Sequence, residues 1–109
     1  MTALPLLHVG ADDAPIACSL TPGEHANRTR ALSTLAARAL TSRLPIDGGQ
    51  RLTFTDVPAV ERELRAAVAA EAACCSFLTM TLQRVDGAVV LEITGASEAQ
   101  PIIAALFAA

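Results

Sequence analysis

The sequence predicts an α+β domain: a two-layer sandwich in the order β-α-β-β-α-β-β-α, with a mainly antiparallel sheet and the helices on one face. Three observations carry this reading. Segments that alternate apolar and polar residues come in pairs around Asp47-Gly48-Gly49 and Asp86-Gly87, turns whose residues accept the positive φ of tight hairpins. Two longer stretches repeat apolar residues at helical spacing, each entered through a proline, Pro22 or Pro58, behind a polar capping residue. A length of 109 residues suits one compact domain and leaves no room for two.

In chain order, residues 1–14 contain Pro5, Gly10, Asp12 and Asp13 without a sustained period, and read as a flexible, partly disordered leader. Residues 15–109 then form the single α+β domain. Its first strand is expected at residues 16–20, where Ile16, Cys18 and Leu20 share one face by the period-2 rule, so Cys18 points with the apolar set. Thr21-Pro22-Gly23-Glu24 has the form of a capping box and opens a helix to about residue 40. That helix buries Leu32, Leu35, Ala36 and Ala39 and turns Arg28, Arg30 and Arg38 to solvent. Residues 41–46 and 50–55 make the first hairpin; in its second arm Leu52 and Phe54 alternate with Arg51, Thr53 and Thr55, the pattern of a sheet with one wet face. Asp56 as N-cap and Pro58 in the first turn start a second helix that ends at Cys74 or Cys75. Residues 76–84 and 88–94 form the second hairpin. Ser97, with Gln100 three residues on, caps a short final helix through Phe107 that buries Ile102, Ile103 and Leu106. The two helix-hairpin stretches are weakly alike, but no solenoid repeat or low-complexity segment is present.

Composition removes several classes of function. The eight basic residues are all Arg, and eleven acids bring the formal net charge to -3, the wrong sign for a general nucleic-acid partner. No apolar run approaches the roughly 18 residues of a membrane span, because Glu71 interrupts the longest, over residues 66–78. Without a basic n-region the first twenty residues do not read as a secretory signal, so a reducing, cytoplasmic location is expected. Three cysteines there cannot complete a disulfide framework; they read as core residues, ligands or reactive thiols. With no Trp or Tyr, core volume must come from Leu, Val, Ile and three Phe.

Candidate chemistry concentrates where the second helix gives way to the next strand, at Glu71-Ala72-Ala73-Cys74-Cys75-Ser76-Phe77-Leu78. At about 100° per residue, Val60, Leu64, Ala67, Val68 and Cys75 fall on one side of the helix, and Glu71 lies within that stripe. A core-facing carboxylate must be protonated, paired with an arginine such as Arg51 or Arg28, or bonded to backbone donors. Glu71 and Cys75 are i and i+4, neighbours if the helix persists. Adjacent Cα atoms lie about 3.8 Å apart, short of the roughly 4.4 Å lower limit usual for disulfides, so Cys74 and Cys75 are expected to be reduced. A reduced vicinal pair, joined by Cys18, suits a soft ion such as Hg(II), As(III), Cu(I) or Zn(II), with Glu71 as base, proton donor or extra ligand. The simpler account is that the cysteines pack as small hydrophobes and that an Arg–Glu71 pair is purely structural.

Cys18-Ser19-Leu20, then Glu71-x-x-Cys74-Cys75-x-Phe77-Leu78, then a strand pair ending Leu91-x-Ile93-Thr94-Gly95 resembles a group of small uncharacterised bacterial proteins, common in actinobacteria. Some of that group are related to segments near mercury-resistance-type (MerR-like) regulators. The resemblance covers about residues 16–107 and implies a stand-alone cytosolic domain linked to heavy-metal or thiol stress. The chain has no DNA-binding helix pair, so a regulator's DNA-binding role does not carry over.

Three functional expectations follow. The first is a small cytosolic binding protein for a soft metal or metalloid ion, its ligands drawn from Cys18, Glu71, Cys74 and Cys75, with no nucleic-acid or membrane partner. The second is a metal-free structural or ligand-sensing domain, a homodimer through sheet or helix faces, with buried cysteines. The third is an organometal lyase-like enzyme, in which the thiols hold the metal and Glu71 delivers a proton. Other candidates are weaker. His8 and His25 are expected to be solvated, Gly48-Gly49 lacks the lysine of a phosphate loop, and Arg28 and Arg30 form a wet helix face.

Overall fold

The computed structural model describes residues 3–9, 22–74 and 77–107. The elements run β1 (Ala3–Val9), α1 (Pro22–Ala39), β2 (Leu40–Ile46), β3 (Gly49–Thr55), α2 (Pro58–Cys74), β4 (Thr79–Val85), β5 (Ala88–Thr94), a 3-10 turn (Ser97–Ala99) and α3 (Gln100–Ala105). The five strands form one sheet in the order β1-β4-β5-β3-β2, and every neighbouring pair is antiparallel. This is the predicted α+β sandwich.

Turn chemistry builds the hairpins. Asp86 and Gly87 have φ of 50° and 76°, the double positive φ that matches the right-handed twist of the flanking strands. Gly48 takes φ 74° in the other turn. Gly49 is needed for a different reason: a Cβ there would lie 1.7 Å from the Ile93 carbonyl oxygen, so only glycine lets β3 approach β5 this closely. Register then assembles the core. Leu52 pairs with Leu91, Leu91 with Leu82 and Leu82 with Leu7, laying a row of leucines across four strands. Onto this face pack the buried residues of α1 (Leu32, Leu35, Ala36, Ala39), of α2 (Val60, Leu64, Val68) and Ile103 of α3.

Several expectations need correction. Residues 3–9 of the expected leader are the edge strand β1, paired with β4. Its sequence hides it: Pro5 breaks the alternation, and the register shifts between Pro5 and Leu7, an irregularity that an edge strand tolerates. The strand expected at residues 16–20, with Cys18, lies outside the described residues, as does Thr21 of the first capping box. The α2 cap is Val57, whose carbonyl accepts from the Glu61 amide at 3.1 Å; Asp56 instead accepts from Arg84 Nε at 3.1 Å. Arg84 also donates to Glu61, which accepts from Arg65 Nε at 3.0 Å, and Arg65 Nη1 reaches the Leu6 carbonyl at 3.0 Å. The chain of contacts ties α2 to β1. The fourth strand starts at Thr79 rather than residue 76. The final helix is split into a 3-10 turn and α3, with no side-chain cap at either start. Gln100 leaves the capping role and donates to the carbonyls of Gly48 at 2.7 Å and Gly95 at 3.0 Å, clamping α3 to the first hairpin.

No helix among the described residues is long and apolar enough to cross a membrane.

Candidate functional site

The inner stripe of α2 runs Val60, Leu64, Val68 and then Glu71, which is 4% exposed and, among the described residues, the one buried charged side chain. The stripe exists because these positions recur at three- and four-residue spacing, so the carboxylate is carried inward by its neighbours. Its counter-charge comes from α1. Arg28 Nε lies 3.8 Å from Glu71 Oε1, an ion pair longer than a hydrogen bond, while Arg28 Nη1 donates to the Ala70 carbonyl at 3.0 Å. The expectation that Arg28 faces solvent is therefore corrected: its side chain is 25% exposed and folds over α2. Of the two arginines considered as partners, Arg51 instead pairs with Glu92 at 2.7 Å.

A pocket of about 310 Å³ opens against this pair, between α1, α2 and the C-terminal segment. Arg28, Glu71 and Thr29 are its polar lining, with Arg28 and Glu71 its charged members; Leu32, Ile102, Leu106 and Phe107 supply apolar wall. The Leu106–Phe107 wall is tied to the sheet by ring and hydrogen-bond contacts. Phe107 has φ 57°, a left-handed backbone that costs a bulky residue about 1–3 kcal/mol. Its ring packs edge-on against Phe54, with centroids 5.6 Å apart, and Arg43 Nη2 donates to the carbonyls of Leu106 at 3.0 Å and Phe107 at 2.8 Å. A wider hollow of about 780 Å³, between the end of α1 and the start of α2, includes Arg38, Arg62 and Glu63; these are exposed side chains, and no buried polar group faces it.

Of the four predicted site residues, Glu71 is where its periodicity puts it. Cys74 is the last residue of α2; its side chain, and the whole of Cys18 and Cys75, lie outside the described residues. Among the described residues no three His, Cys, Asp or Glu side chains converge on a metal-sized site. His8 Nδ1 is 2.8 Å from Thr81 Oγ1 at an exposed position. Sequence reasoning missed the pocket and the clamp on its wall. Their signals were faint: an arginine in β2 and an apolar cluster near the C-terminus, each with an ordinary structural use.

The arrangement offers two chemistries: a carboxylate and a guanidinium lining one largely apolar recess, and two thiols three and four residues further along the chain from that carboxylate. Comparison with protein-family models, with curated proteins and with solved structures gave no match to this chain.

Proposed function

We propose that the chain is a small thiol-based binding protein for a soft metal or metalloid ion, captured by Cys74 and Cys75 together with Cys18. The observation that supports it is the burial of Glu71 immediately before the vicinal cysteines. An ionic residue kept inside a helix stripe is costly unless it has a use. Thiols must lose protons to bind a metal, and a carboxylate three and four residues away is placed in sequence to accept one or to complete the ligand set. Arg28 balances Glu71 and gives the carboxylate a structural role as well, so coordination in this reading falls chiefly to the thiolates, the softest donors in the chain.

The test is titration of the reduced, chelator-treated chain with Hg(II) and with As(III), read by charge-transfer absorption and by elemental analysis after desalting. Stoichiometric uptake that disappears in Cys74→Ser and Cys75→Ser is expected. Absence of stoichiometric uptake in the native chain overturns the proposal.

A second reading, a metal-free ligand-binding domain, is favoured by a separate observation: the recess at Arg28 and Glu71 is larger and more apolar than a bare ion requires.

A further inference from the structure

We infer that the pocket between α1, α2 and the C-terminal segment takes a small uncharged organic molecule, an apolar body carrying one hydroxyl or primary amide. The inference rests on the second reading above, that this recess is a ligand site, and adds the class of ligand.

Size comes first. At about 310 Å³ the pocket stands at the lower end of small-molecule sites, which span about 300–1,000 Å³. Its apolar walls, Leu32, Ile102, Leu106 and Phe107, suit an aromatic ring or a branched aliphatic group.

Charge decides the class. Arg28 and Glu71 meet at 3.8 Å, so their charges cancel. A carboxylate or ammonium entering beside them would give up its water without gaining a net counter-charge. Hydrogen-bond complementarity selects within the neutral molecules. A guanidinium only donates and an ionised carboxylate only accepts, so the group that serves both neighbours must accept and donate at once. Hydroxyls and primary amides do this; ethers, ketones and hydrocarbons do not. The distance between the pair exceeds a hydrogen bond, which lets a ligand group bond to both without first breaking a direct bond between them.

The test uses the full chain with a metal chelator present and four probes of one shape: benzyl alcohol, benzamide, benzoate and benzylamine. Affinities are read by saturation-transfer NMR and competition. The two neutral probes are expected to bind at least tenfold more tightly than the two ions. In Glu71→Gln, which leaves the guanidinium unbalanced, the ratio of benzoate to benzamide affinity should rise at least tenfold; in Arg28→Gln the ratio for benzylamine should rise instead. Ala105→Trp, placed on the pocket lining at an exposed position, should abolish binding of all four, and it serves with the native ranking if either charge variant fails to fold. Binding of the ions as tight as that of the neutral probes overturns the inference and leaves the ligand-site reading standing. No binding of any probe, or binding unaffected by Ala105→Trp, overturns both.

Discussion

Glu71 and Arg28 show how far one residue can be read in isolation. The inward aim of Glu71 follows from α2's own periodicity and needs no tertiary information: Val60, Leu64 and Val68 turn that face to the core, and the carboxylate goes with them. Its partner does not follow. Whether Arg28 or Arg51 balances it depends on where α1 crosses α2 and on the register that gives Arg51 to Glu92. Removing one member of a buried pair strands the other charge, so Arg28→Ala, which leaves the buried Glu71 carboxylate without its counter-charge, is expected to cost about 3–5 kcal/mol. Glu71→Ala strands only Arg28, whose side chain is 25% exposed and can be solvated, which holds its cost lower. Urea denaturation of the two variants checks both size and order; a loss from Arg28→Ala within about 0.5 kcal/mol of zero would mean that the Arg28–Glu71 pair contributes nothing to stability. Cys18, Cys74 and Cys75 mark the other limit at this scale. Their residue type makes them candidates, but spacing does not tell a ligand from a packed thiol.

Among the elements, those whose local chemistry agrees with their environment were legible to within three residues: α1, α2 and the two hairpins follow periodicity and turn residues, the start of β4 being the largest miss. The misreadings fall where tertiary contacts overrule a local signal. Thus β1 exists because β4 offers it an edge, although Pro5 spoils its pattern. Gln100 occupies a capping-box position and yet serves the Gly48 and Gly95 carbonyls, which the fold brings within reach. Gln100→Ala should therefore loosen the docking of α3 on the first hairpin rather than fray a helix start. A loss of about 1–2 kcal/mol is expected, with faster amide exchange at Gly95, whose N–H donates to Gly48 at 3.1 Å. Exchange changes confined to the first turn of α3 would instead restore the capping role.

At the scale of the whole molecule, one cluster of buried residues includes side chains from all three helices and from β3, β4 and β5, with Leu7 and Val9 of β1 packed against it. A shared core makes unfolding cooperative. Leu91 lies at its centre, fully buried and paired with both Leu52 and Leu82, so Leu91→Ala is expected to cost about 2–5 kcal/mol and to lower the single transition seen by circular dichroism without splitting it. Two separated transitions would show that the sheet and the helix layer fold as independent units. What the sequence determined by itself is the class of fold, the order of most elements, the inward face of α2 and the net negative charge, because each rests on periodicity, turn chemistry or summed charge. Only the tertiary structure decided that β1 is a strand, that Arg28 rather than Arg51 answers Glu71, and that a pocket opens beside them. Those outcomes depend on strand register and on the angle at which helices cross, which are set by the packing of residues far apart in the chain.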